Sequence, residues 1–259
     1  MFEVTRQAFY KAHKAAMKEF CQDGIILDAV RQVRRKQPRV GGRKLQRMLA
    51  QMGHEIGRDR LFSLLNRHGL LIQLRRNYRR TTNSMHRFRK YRNLIKDKEV
   101  VRPNEVFVSD ITYIDTLEGF SYLVLITDLY SRKIVGWDLS GSLSIEGSQR
   151  ALRMALKGVG TPEKLIHHSD RGIQFCSNPY VGILNSNGVA ISMTEENHVF
   201  ENAIAERVNG ILKTEFLLGE KLQSFQHAYN LTKEAIKVYN EERLHSSLNY
   251  QTPAARYVA

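Results

Sequence analysis

Three acids in this chain could do metal-assisted phosphoryl chemistry if the fold brought them together: Asp110, Asp170 and one of a group near residue 200. Hard divalent cations such as Mg²⁺ want oxygen ligands and keep open positions for phosphate and water, so two-metal phosphoryl transfer needs several carboxylates converging on one spot. The stretch EENHVFENAIAE offers Glu195, Glu196, Glu201 and Glu206 as the third, and an acidic surface turn is the plain alternative. Nothing in the chain has the His/Cys spacing of a zinc module.

The elements that must position these acids follow from periodicity. EVFVSDITYID alternates, with Val106, Val108, Asp110, Thr112 and Ile114 on one face and Phe107, Ser109, Ile111 and Tyr113 on the other. It reads as a first, central strand with Asp110 in its middle, and Asp115 falls on the opposite face. GFSYLVLITDLYS and RKIVGWDLS follow directly, so three adjacent antiparallel strands are expected, with Asp128 as a turn residue. SIEGSQRALRMALKG reads as a helix, EKLIHHSD as a fourth strand ending just before Asp170, and SNPYVGILNSNG as a short helix. VAISMT is a fifth strand and FENAIAERVNGILKTEF a closing helix. The order β-β-β-α-β-α-β-α resembles the ribonuclease H fold, which by itself does not name an activity.

Charge divides the chain. Residues 1–100 hold 25 Lys and Arg against 8 Asp and Glu, a net of +17, whereas residues 101–259 hold 15 against 18, a net of −3. Such a bias is the footprint of phosphate-backbone binding and argues for two jobs on one chain. Helical patterns run from about 24 to 70: IILDAVRQVRRKQP is followed by a break at Pro38 and Gly41-Gly42, then by RKLQRMLAQMG and GRDRLFSLLNRHG. Leu45, Met48 and Leu49, then Leu61, Leu64 and Leu65, form apolar faces, with Arg58, Arg60 and Arg67 elsewhere on the last helix. Short helices of this kind resemble a helix-turn-helix; a helical bundle with no DNA role is the alternative. Residues 75–92 interleave Arg75, Arg76, Arg79, Arg80, Arg87, Arg89 and Lys90 with Tyr78, Phe88 and Tyr91, as a basic arm that tracks a backbone and stacks on bases would. Cys21 and Cys176 are too few for a disulfide framework and are expected as buried apolar side chains in a cytoplasmic protein. No apolar run approaches the length of a membrane span, and the first residues contain no secretory leader pattern.

Between Asp170 and Glu206 lie 35 residues. This spacing resembles the D,D(35)E signature of retroviral integrases and bacterial insertion-sequence transposases. Lys213, seven residues after Glu206, falls where that superfamily has its basic residue, with Asn202 and Asn209 on the same helical face. SDITYI, LVLITDLYSRKIVGW, HHSDRGIQF and ENAIAERVNGILKTE resemble the catalytic core of the OrfB transposases of insertion-sequence family three. The tail YNEERLHSSLNYQTP is similar to that family's ending, at Tyr239, Asn240, Arg243, His245, Leu248, Thr252 and Pro253. One departure stands at Glu201, where the family most often has Asp; Glu keeps the charge.

The resemblance implies an α/β ribonuclease H-like core, a mixed five-stranded sheet with helices, preceded by an all-α helix-turn-helix region. The expected segments are 1–74 for DNA binding, 75–101 as basic arm, 102–218 as catalytic core and 219–259 as a helical tail. It implies that Asp110, Asp170 and Glu206 hold two Mg²⁺, with Mn²⁺ as a substitute, and that the protein binds terminal inverted repeats, nicks element ends and transfers a 3′-OH. Contacts to double-stranded DNA, both element ends and target, are expected from Lys213, Asn202, Asn209, Arg171, Arg58, Arg60 and the arm. His167, His168, Arg243 and His245 are left between core and DNA roles. A homo-oligomeric synaptic complex is expected, as is an upstream-frame protein joined by frameshifting, since no heptad zipper is visible here. A nuclease of the same fold without joining activity, and a DNA-binding regulator with an inactive core, are the other readings.

Overall fold

The computed structural model describes residues 5–72, 88–159, 164–195 and 202–258. The chain forms two compact units, Met1–Leu74 and Arg75–Ala259.

The first unit is three helices: α1 (Arg6–Lys36), α2 (Gly42–Gln51) and α3 (Arg58–Arg67). Thr5 caps α1 by accepting from the Ala8 amide, and Arg34, Arg35 and Lys36 occupy its last turn, where cations complement the helix dipole. The leucines of α2 and α3 pack with Ile26, Leu27, Val30 and Val33 of α1 into one apolar cluster. Each such side chain stabilises the unit by about 1.5–3 kcal/mol. Asp23 is buried among them, and Arg60 and Arg67 of α3 donate to its two oxygens at 2.9 and 3.0 Å. The α1 helix starts well before the periodic segment that begins near residue 24. Residues 6–22 are exposed and have no apolar periodicity to read; Ala- and Lys-rich sequence of high helix propensity carries them. Cys21 lies on this exposed stretch, which corrects the expectation of burial; Cys176 is buried.

The second unit is built on a five-stranded sheet in the order β3-β2-β1-β4-β5. Its strands are β1 (Val106–Thr116), β2 (Gly119–Asp128), β3 (Ile134–Ser140), β4 (Ile166–Ser169) and β5 (Ala190–Met193). The first three are antiparallel neighbours, and β4 and β5 add in parallel, as crossover helices allow. On one face lie α4 (Ile145–Val159), a single turn α5 (Ile173–Cys176) and α6 (Asn178–Ser186), which join Phe107, Val124 and Ile126 in a core. The other face buries Ile114, Leu123 and Leu125 under α7 (Ala203–Glu215) and α8 (Phe225–Glu241). Helix α4 sits so close to β3 that a Cβ on Gly136 would overlap the Ala151 carbonyl. A short α9 (Pro253–Val258) closes the chain. Asp128 is buried in the β2–β3 turn, accepting from the Ser131 amide and hydroxyl and from the Asn104 amide, the turn role expected of it. The order of strands and helices is that expected of a ribonuclease H-like core. Among the described residues, no helix is long and apolar enough to cross a membrane.

Candidate active site

Register decides where the first two acids meet. In the parallel β1–β4 pair Ser109 is opposite Ser169, so Asp110 and Asp170 are the next residues on adjacent chains. Asp110 continues along β1 while Asp170 leaves the end of β4, where Gly172 donates its amide to Asp170 Oδ1 at 3.0 Å. A Cβ on Gly172 would lie 2.9 Å from that same oxygen, so a larger residue there would displace the Asp170 carboxylate.

The third acid comes from α7, which runs along the same face of β1. Asn202, immediately before the helix, donates to the Ser109 carbonyl at 3.1 Å, and Asn209 donates to Asp110 Oδ2 at 2.7 Å. Asp110 Oδ1 accepts from the Ile111 amide at 2.9 Å. Farther along, the Lys213 ammonium lies 4.4 Å from the centre of the Tyr113 ring. Glu206 is in the first turn of α7 with its side chain exposed.

Electrostatics ties the three together. Burial, and then the charge of Asp170, push the Asp110 carboxyl up to about 7; the hydrogen bonds from Asn209 and Ile111 oppose this, and Glu206 adds a smaller push upward. Burial lowers the Lys213 ammonium, while Asp110 raises it. Carboxylates that raise the pKa of Asp110, beside the oriented amide of Asn209, are oxygen donors of the kind a hard divalent cation takes. Among the described residues, no three His, Cys, Asp or Glu side chains stand close enough to one another to hold an ion. The fit is in donor chemistry and in the charges that Asp110 meets from Asp170 and, more weakly, Glu206.

Beneath the acids lies a polar network. His167 Nε2 is 2.7 Å from Ser109 Oγ and 2.9 Å from Tyr180 OH, and all three side chains are buried. Burial pushes His167 down to about 3, so it is neutral at physiological pH, and burial also raises Tyr180. This ties β1 to β4, one residue ahead of Asp110 and three ahead of Asp170. His168 Nδ1 pairs with Ser192 Oγ at 2.8 Å, and that oxygen also accepts from the Leu94 amide. Both histidines belong to the core.

Several expectations change. Asn202 and Asn209 were expected on DNA; both are buried, with their amide groups directed at β1, so they position Asp110 and its strand. Arg60 was expected on DNA and is instead paired with Asp23, because a buried acid needs a partner. Arg58 is exposed beside Asp59, and Arg89 lies 5.1 Å over the Tyr91 ring with Lys90 exposed next to it. Arg171 is half-buried directly after Asp170. Glu195 is exposed. Glu196 and Glu201, along with Arg75, Arg76, Arg79, Arg80, Arg87 and Tyr78, lie outside the described residues. Arg243 is buried and forks onto Glu215 with donor distances of 2.9 and 2.8 Å, and His245 packs edge-on to Tyr239, so both serve the core. Tyr113 and Ser109 were missed as site residues; Tyr113 sits three residues after Asp110 on the other face of a strictly alternating reading, and only the course of α7 sets it under Lys213.

Comparison with known proteins adds an independent observation. The integrase core domain family matches residues 100–198, and a second integrase core domain family matches residues 187–253. The chain is 34% identical to the insertion element IS600 uncharacterized 31 kDa protein of Shigella sonnei, over 98% of this chain and 95% of that protein. It is 30% identical to the transposase InsF for insertion sequence IS3A of Escherichia coli K12, covering 93% of this chain and 81% of InsF. A putative transposase for IS986/IS6110 of Mycobacterium tuberculosis matches at 30% identity over 79% of this chain and 76% of that protein. In fold, the chain resembles a chain of the simian T-cell lymphotropic virus intasome in complex with PP2A regulatory subunit B56 gamma, with a TM-score of 0.54 and 16% identity over 85% of this chain and 71% of that one.

Proposed function

This chain belongs to the DDE transposases of insertion-sequence family three, and from that premise we propose that Asp110, Asp170 and Glu206 are its catalytic carboxylates for cutting and joining DNA ends. The observation that supports the assignment is that Asp110 meets the charges of both Asp170 and Glu206, two acids 35 residues apart in the chain, with Asn209 of the Glu206 helix fixing one Asp110 oxygen.

Divalent ions held there, Mg²⁺ or Mn²⁺, would supply positive charge at the phosphoryl oxygens and at the leaving 3′ oxygen. The chain's own residues do the positioning. Asn209 and the Ile111 amide take one lone pair from each Asp110 oxygen and so fix the carboxylate plane. The Gly172 amide holds one oxygen of Asp170. Lys213, supported on Tyr113, places a cation along the same face for a DNA phosphate. In the first step a water oxygen bonds to phosphorus and the P–O3′ bond breaks, releasing the end as a 3′-OH. In the second, that oxygen attacks a target phosphodiester, whose own 3′ oxygen leaves. Both are in-line displacements at phosphorus, and neither needs a covalent protein intermediate.

The substrates are the element's terminal inverted repeats and a target duplex. The helical unit, with Arg58 on α3, and the basic arm around residues 75–92 hold the repeats, and two or more copies bring paired ends together. Incubating end DNA with target DNA and Mg²⁺ separates this reading from its rivals. Strand-transfer products are expected; cleavage without joining under every condition would instead make the protein a nuclease. Glu206→Gln should remove both products while leaving DNA binding at its wild-type affinity. Full activity in that variant would sink the carboxylate assignment.

A further inference from the structure

Away from the carboxylates, residues 98–100, the β2–β3 turn and the stretch 247–256 line an open cavity of about 410 Å³. That is within the range of small-ligand sites, roughly 300–1,000 Å³. Lys98, Arg132 and Arg256 line it, and none of the lining residues is acidic. Of the acids around it, Asp128 accepts from Ser131 and Asn104, and Glu105 from the Val101 amide and Arg102, while Asp97 and Glu99 flank Lys98 in the chain and are exposed.

Two of the three cations are held in place. The Arg256 guanidinium lies 4.1 Å over the Tyr130 ring, and Arg132 donates to the Leu129 carbonyl. An arginine stacked on an aromatic ring loses little further freedom when its donors meet a phosphate. The opposite wall is a loop in which Asn249 and Tyr250 both take left-handed backbone angles, φ 52° and 61°. Such angles cost about 1–3 kcal/mol each in a non-glycine residue and persist where the surroundings enforce them. Here the Tyr250 amide donates to the His245 carbonyl at 2.8 Å, and the His245 amide to the Gln251 carbonyl at 3.1 Å. The result presents Asn249 and Gln251 to the cavity. Ile204 completes the wall from the first turn of α7, two residues before Glu206 and so about 200° around the helix from it.

We propose that this cavity takes one unpaired nucleotide of a DNA strand, its phosphate on Lys98, Arg132 and Arg256 and its base edge on the amides of Asn249 and Gln251. The cavity is too small for a duplex, whose major groove alone is about 12 Å wide. Amide side chains are suited to reading base edges. The choice of DNA rests on the transposase reading, and Ile204 ties the cavity wall to the same first turn of α7 that carries Glu206.

The test uses the full chain in EDTA, so that no chemistry occurs and failure of strand transfer cannot be confused with failure of this site. Binding of a fluorescein-labelled single-stranded oligonucleotide is followed by anisotropy across a salt series. Lys98→Gln and Arg256→Gln should each weaken binding and reduce the slope of log K against log salt by roughly 0.7, the release of one phosphate contact. Lys157→Gln, exposed on α4 and outside the cavity, should leave the slope unchanged. Lys98→Glu, at an exposed position, guards against a folding defect in the Arg256 variant and should weaken binding further. Binding of a blunt duplex should be affected less than that of the single strand. Wild-type slopes in the cavity variants, an equal loss in Lys157→Gln, or an equal loss on duplex DNA would each overturn the proposal.

Discussion

Asp110 shows what one residue contributes and what it costs. Its carboxyl is buried and faces two like charges, so folding raises its pKa to about 7. The contribution to stability is complete below the ordinary carboxylate pKa of about 3.9 and is lost as pH rises through about 7. In EDTA, Asp110→Asn should therefore melt several degrees above wild type at about pH 8, with a smaller gap at about pH 5. Added Mg²⁺ should close the gap by stabilising wild type alone; a gap that does not change with pH would contradict the coupling. Asn209 acts through Asp110. Asn209→Ala should raise the Mg²⁺ concentration needed for strand transfer by about 10–100-fold, beyond any loss of stability from the buried Asp110 oxygen left without its donor. A metal titration with wild-type midpoint would exclude that role.

At the scale of elements, the site depends on how closely strands and helices approach. Helix α4 can lie on β3 only because residue 136 has no side chain. Gly136→Ala should cost about 1–3 kcal/mol or more, read as a lower midpoint in urea unfolding of the second unit. Helix α7 ends at Glu215, whose carboxylate is joined to the buried Arg243 beyond α8. Removing one partner leaves the other buried and uncompensated, so Arg243→Ala should destabilise by about 3–5 kcal/mol. Arg243→Met combined with Glu215→Leu should recover most of that loss in the same unfolding experiment. Because α7 also carries Glu206 and Asn209, the single variant should lose strand transfer along with stability.

For the whole molecule, charge is segregated along the chain. The first hundred residues have a net charge of +17, so affinity for DNA should fall steeply and linearly with log salt. Arg58→Gln should weaken binding to different sequences about equally and reduce the duplex slope by about 0.9, which a salt series on two unrelated duplexes would reveal. A change confined to one duplex would move Arg58 from backbone contact to base reading. Arg60 should behave differently: its loss leaves Asp23 with Arg67 alone, and the effect should appear in the stability of the helical unit.

The sequence by itself determined the order of strands and helices, because alternation and helical periodicity are local consequences of one buried face. It also determined which acids could act together, because the 35-residue spacing of Asp170 and Glu206 and the placement of Lys213 are properties of the string. Only the tertiary structure decided what their neighbours do. Asn202 and Asn209 share the helical face of Lys213, yet they point at β1, since burial requires each amide to find a partner and β1 supplies the Ser109 carbonyl and Asp110. Arg243 and His245 read as polar tail residues and are core, because α8 covers the sheet and carries the tail back over α7. The cavity near Arg256 had no local signature at all. Its three cations come from segments far apart in the chain, and a charge is recognised as part of a site only when folding has put the others beside it.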